Sequence, residues 1–215
     1  MKMYVSVMIA VALTATGLFA KEGVYPQSAA SHTYIIKSGD TLDSIAQKKY
    51  GDSHYSSLLI IHNEIKDVTK LRIRQEIKTP DLKTLLTNEG LAPVMEQEID
   101  AILKARALFH GVEQRLMQTR KGKKVPNVEI PPDITKTLVI AADQIDAAIL
   151  GLRQKKKGVG AVPLKMIGQL ISVSYNLKGL ATGSYDDYGY DLIMVDQRLA
   201  YAMLNGIKWA RNGYK

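Results

Sequence analysis

From residue 94 to the C-terminus, apolar positions recur at steps of three and four. Met95, Ile102, Phe109 and Leu116 fall seven apart with Ile99 and Val112 beside them, while Glu96, Asp100, Lys104 and Arg115 take the other faces. That spacing predicts an amphipathic helix over 94–119. Ile134, Leu138, Ala141, Ile145, Ala148 and Leu152 predict a second over 133–155, with Asp133 at its start and Arg153, Lys155 and Lys156 at its end, where the helix dipole favours each sign. Pro163 suits the first turn of a third helix through Leu164, Ile167, Leu170, Ile171, Val173, Leu177 and Leu180, which stops at Ala181-Thr182-Gly183. A fourth, over 192–211, carries Leu192, Val195, Leu199, Ala202, Gly206 and Trp209. Four helices with one apolar stripe each and short connections predict an all-α, four-helix up-down bundle over 93–215.

The chain before residue 93 has a different rhythm. Thr33, Tyr34, Ile35 and Ile36 are β-branched or aromatic and predict a short strand over 32–37, followed by a turn at Ser38-Gly39-Asp40. Asp40 or Thr41 can cap a helix that puts Leu42, Ile45 and Ala46 on one face and ends at Tyr50-Gly51. A second helix starts near Asp52 or Ser53, carries Leu58, Leu59 and Ile61, and reaches His62-Asn63. After a polar turn, residues 71–78 alternate as a strand before Pro80. The order is βααβ in about 50 residues, an α+β unit, with 82–92 left as a linker to the helices.

Several residues of this unit stand at telling intervals: Tyr34-Ile35-Ile36-Lys37-Ser38-Gly39-Asp40-Thr41-Leu42, then Ser44-Ile45-Ala46, Lys49-Tyr50-Gly51-Asp52, Asn63, and Leu71 with Gln75-Glu76-Ile77-Lys78-Thr79-Pro80. Together they resemble the LysM module, which binds N-acetylglucosamine polymers. The resemblance covers 32–81 and implies a shallow sugar groove between the turn after the first strand and the loop before the second. Gly39, Asp40, Thr41 and Leu42 would form one side, and Asn63, Ile65 and Leu71 the other. It implies peptidoglycan or a related polymer as partner, bound mostly through backbone groups. Two positions depart from the family's pattern. Ile73-Arg74 replaces the usual Pro-Gly turn, so a residue with a side chain must take up that turn, and Asp43 stands where a Trp is common. The side chains of Gly39, Asp40 and Asn63 also have a plainer reading, as turn and cap builders. No family resemblance is visible in the helical region.

The first residues set an expected compartment. Lys2 precedes a largely apolar run to Ala20, diluted by Ser6, Thr14, Thr16 and Gly17 and followed by Lys21 and Glu22, which reads as an export leader over 1–20. Residues 21–31, with Gly, Pro and Ser, read as a tether. The expected location is therefore periplasmic, wall-associated or secreted. An uncleaved leader acting as an anchor between membrane and wall stays open. With a net charge of +8, the chain favours anionic wall or membrane polymers, and export argues against nucleic acid.

Candidate chemistry is sparse. With no Cys, thiolate metal sites and cysteine nucleophiles are excluded. Of the four histidines, His32, His54 and His62 fall inside the N-terminal unit and His110 stands alone among the helices, so no His-rich metal site, no other metal and no cofactor is expected. Glu96, Glu98, Asp100, Glu113, Asp143 and Asp146 all read as solvated helix faces, and the inward stripes read as apolar almost throughout. Arg115-Leu116-Met117-Gln118 faintly echoes a lytic transglycosylase motif without the upstream Glu-Ser helix. The expectation is a non-enzymatic protein whose bundle has a structural or protein-partner role. A carboxylate-based wall hydrolase is the competing reading. Two basic clusters, Arg120 with Lys121, Lys123 and Lys124, and Arg153 with Lys155, Lys156 and Lys157, would sit about 35 Å apart in an up-down bundle. Residues 185–190, Tyr-Asp-Asp-Tyr-Gly-Tyr, would cover one end.

Overall fold

The computed structural model describes residues 33–91, 95–119, 129–155, 163–183 and 188–213. The expected leader and tether, the Arg120 cluster, Lys156, Lys157 and the core of the 185–190 segment lie outside them.

Two short strands, β1 (Thr33–Ile35) and β2 (Glu76–Lys78), pair antiparallel with Thr33 opposite Lys78, Tyr34 opposite Ile77 and Ile35 opposite Glu76. Between them stand α1 (Leu42–Tyr50), a 3-10 turn at Ser53–Tyr55, α2 (Ser56–His62) and a second 3-10 turn at Val68–Lys70. Thr41 caps α1: its hydroxyl accepts from Ser44 N while Ser44 Oγ accepts from Thr41 N, a reciprocal capping box. Gly51 ends α1 at φ 86°, a left-handed conformation suited to glycine. Asp52 caps the following 3-10 turn through His54 N. The strand expected over 71–78 is shorter because the backbone at 72–75 closes its own turn, Gln75 N donating to Arg72 O.

Residues 82–92, expected as a linker, hold a further helix, α3 (Leu82–Asn88), capped by Asp81 through Thr84 N. Leu82, Leu85, Leu86 and Leu91 are buried. Four long helices follow: α4 (Glu96–Thr119), α5 (Pro132–Gln154), α6 (Leu164–Thr182) and α7 (Tyr188–Arg211). Each packs on the next in sequence, and α7 also meets α4, α2 and the Ser53–Tyr55 turn. The expected stripes are buried, except that Leu164 and Ile171 of α6 are exposed. Gly206 lets α7 come close to its neighbours: a Cβ there would lie 3.0 Å from Met166 Sδ and 3.4 Å from a Leu91 methyl.

One buried apolar cluster runs from Ile36 of the small sheet to Trp209 of α7. The βααβ unit and the helical region therefore share a core. A unit of about 50 residues is marginal by itself, and here α4 and α7 pack against it, through Arg106 and Asp196 on Tyr55 and through α7 on α2.

Candidate functional site

The expected groove begins where β1 ends. Ile36 is buried and bonds both ways to the turn before β2: its N–H donates to Gln75 O at 2.9 Å and its carbonyl accepts from Arg74 N at 2.8 Å. This fixes the 72–75 turn against the start of the 37–40 turn. Gly39 sits at φ 82° and is exposed. Asp40 holds that turn from beneath, accepting from Lys37 N at 2.9 Å and the Tyr34 hydroxyl at 2.8 Å, with Lys48 Nζ at 3.2 Å. The Lys37 N–H, the Tyr34 hydroxyl and Lys48 together hold the carboxyl below its usual range. The same bond raises the Tyr34 hydroxyl. Leu42 opens α1 and is buried.

The other expected wall is built differently. Asn63 donates from Nδ2 to Leu59 O at 3.0 Å and to Lys78 O at 2.9 Å, and its Oδ1 accepts from Lys78 N at 2.7 Å. Its amide stitches the end of α2 to β2. Lys78 is three rungs from Gln75 along β2, so Asn63 stands roughly 10 Å from the Ile36 end of the ladder, where the Gly39 turn begins. Ile65 and Leu71 are half-buried and packed against the core. Between them Asp67 accepts from Thr69 N at 3.0 Å and its hydroxyl at 2.6 Å. The side chains of Asp40, Thr41 and Asn63 are thus engaged inside the unit. What the surface offers is the backbone of 38–41 and of 72–74, with Arg72, Ile73 and Arg74 exposed.

A second cluster, unexpected from sequence, lies where the unit meets α4 and α7. Tyr55 is fully buried and donates to Asp196 Oδ1 at 2.9 Å. Arg106 Nε donates to the Tyr55 hydroxyl at 2.8 Å, its guanidinium lies over the Tyr55 ring, and another of its N–H groups reaches Tyr50 O. His110 Nε2 is 2.7 Å from Asp196 Oδ2. Its ring also packs on Gly51, where a Cβ would come within 3.3 Å of it. Burial alone would raise the Asp196 carboxyl, but the His110 bond and the charges of His110 and Arg106 outweigh it and hold the group below its usual range. Burial, then the Asp196 charge, push the half-buried Glu113 carboxyl up.

The inward stripes are consequently not apolar throughout. Glu98, His110 and Asp196 are buried, and Glu98 accepts from Lys155 Nζ at 2.7 Å instead of facing solvent. Lys155, expected in a free basic end, is thereby engaged. Glu96, Asp100 and Asp143 are exposed as expected, Asp100 beside Lys83 and Asp146 beside Lys178.

No curated protein and no solved structure matches this chain. A family model does match part of it, and none matches the helical region. The match falls on the unit just described and agrees with glycan binding of the peptidoglycan or chitin type: residues 34–80 are a LysM domain.

Proposed function

We propose that this is an exported, non-enzymatic peptidoglycan-binding protein. Its LysM domain takes N-acetylglucosamine-containing glycan along the backbone of 38–41 and the adjoining 72–74 turn, while the helical region, an up-down four-helix bundle, serves as structural support and as a partner-binding surface. The observation that carries the glycan reading is the LysM match at 34–80, together with the exposure of Gly39, Thr41 and the 72–74 turn with the whole chain in place. The sugar has amide and hydroxyl groups and an apolar methyl, so it needs backbone donors and acceptors beside shallow apolar surface rather than charge chemistry. The non-enzymatic reading is supported by the carboxylates of the helical region. Asp100, Glu98 and Asp146 are each paired with a lysine, Glu96 and Asp143 are exposed, and Asp196 is held by Tyr55 and His110. The leader-like first residues and the positive charge support export to an anionic wall.

The test uses the full chain without its leader. Incubated with purified insoluble peptidoglycan, it is expected to sediment with the polymer, to be released by soluble N-acetylglucosamine oligomers, and to liberate no soluble muropeptides detectable by mass spectrometry. Protein left in the supernatant would sink the binding reading. Muropeptide release lost on Glu113→Gln would replace it with the hydrolase.

A further inference from the structure

His110 and Glu113 stand three residues apart on one face of α4, and Asp196 meets them from α7. One ligand atom from each lies within 4.8 Å of the other two. His110 is 8% exposed and Asp196 2%, so this is an interior site. The sequence does not show which groups come together here, because His110 and Asp196 are 86 residues apart.

Arg106, Glu113 and Asp196 surround it, with Asp52 standing farther out, partly exposed and bonded to His54 Nδ1 at 2.7 Å. A divalent cation there would take His110 as the neutral imidazole and the Glu113 and Asp196 carboxylates as its two negative charges.

We propose that His110 Nε2, the Glu113 carboxylate and Asp196 Oδ2 form a binding site for a divalent metal of the zinc class, which clamps α4 to α7 beneath the LysM domain. For the His110–Asp196 pair the geometry is close to what the ion requires, and the Glu113 carboxylate closes on it from within 4.8 Å. Zinc at about 2.0–2.1 Å from each donor sets tetrahedral ligands roughly 3.4 Å apart. His110 Nε2 and Asp196 Oδ2 are now 2.7 Å apart, so the pair opens by less than an ångström as the metal replaces the shared hydrogen. The outer partners are in place. The Tyr55 hydroxyl bonds Asp196 Oδ1, which His110 Nε2 also meets at 2.9 Å, and Arg106 Nε in turn bonds that hydroxyl. Arg106 opposes a cation, but it approaches Oδ1, at 3.6 Å, and not the oxygen offered to the metal. One imidazole and two carboxylates suit zinc or manganese rather than a thiolate-seeking ion, and leave a fourth position for water.

The experiment takes the full chain, freed of metal with a chelator, and titrates it with Zn2+ by calorimetry. Expected are one ion per chain and a higher melting temperature with Zn2+ present. X-ray absorption at the zinc edge is expected to show a single imidazole among nitrogen and oxygen neighbours. Glu113→Gln removes a half-buried ligand and is expected to weaken binding by more than about tenfold with the circular dichroism spectrum unchanged. Absence of saturable one-to-one binding, a zinc shell without imidazole, or a Glu113→Gln chain that binds like the parent would each overturn the proposal. If Glu113→Gln does not fold, the zinc-edge spectrum of the parent decides.

Discussion

Arg74 holds a left-handed backbone, φ 68°, at the third position of the 72–75 turn, where the LysM pattern has glycine. A side chain there crowds its own carbonyl, at about 1–2 kcal/mol, whereas glycine gives back roughly half of that through its looser unfolded chain. The Arg74 side chain is exposed, so little else is lost on removing it. Arg74→Gly is therefore expected to stabilise the protein by about 0.5–1 kcal/mol, raising the melting temperature by roughly 2 °C in a chain of this size. Arg74→Ala keeps the Cβ and should gain nothing. Equal melting curves for the two variants would show that the strain is relieved elsewhere. The requirement at this turn is legible in the sequence from the missing Pro-Gly pair. What Asn63 does is not: that its amide is used on Leu59 and Lys78 depends on where β2 comes to lie, and a lone Asn after a helix reads equally well as a cap or a ligand.

At the scale of elements, the long helices are legible because each repeats one apolar stripe over five or six turns, and periodicity averages out single exceptions. The exceptions are where the reading falls short. Glu98 lies between Met95 and Ile102 on the stripe itself, and Asp196 lies between Leu192 and Leu199 on that of α7. A charged residue at core spacing signals a buried partner, but its identity, Lys155 for the one and Tyr55 with His110 for the other, comes only from tertiary packing. The short α3 is missed for the opposite reason, since seven residues give a period too little length to show. Gly151 follows from the Glu98 pairing. A Cβ at 151 would overlap the Glu98 carboxylate, which is held in place by Lys155. Alanine in a helix interior is worth about 1 kcal/mol over glycine, yet Gly151→Ala is expected to destabilise the protein by about 1–2 kcal/mol through overpacking. In a Glu98→Ala background the same change should become neutral or stabilising. Denaturant unfolding of the four combinations measures this, and additive effects would contradict the contact.

For the whole molecule, the shared core changes what the LysM domain is. Tyr55 is fully buried because α4 and α7 cover it, and its hydroxyl has its acceptor on α7. Arg106 of α4 donates to Tyr50 O, and Arg211 of α7 reaches both Glu89 and the carbonyl of Ile61. A domain this small holds only a few kcal/mol of stability in total, about 0.05–0.15 kcal/mol per residue. Separation would uncover the Tyr55 ring, worth about 2 kcal/mol of burial, and strip the covering contacts from the C-terminal ends of α1 and α2. A fragment of residues 33–81 is therefore expected to melt broadly, well below the full chain, and to bind peptidoglycan more weakly in proportion to its unfolded fraction, although every residue of the groove is present. Dispersed amide resonances and a sharp melt close to that of the full chain would show the domain to be autonomous. The intermediate variant Asp196→Asn, which keeps all covalent connections but weakens the His110 and Arg106 contacts across the junction, should fall between the two. That ordering follows because Gly39, Thr41 and residues 72–74 stay exposed beside the helices while their support comes from them: the 37–40 turn hangs on β1 and α1, and α1 ends at Gly51, against the ring of His110.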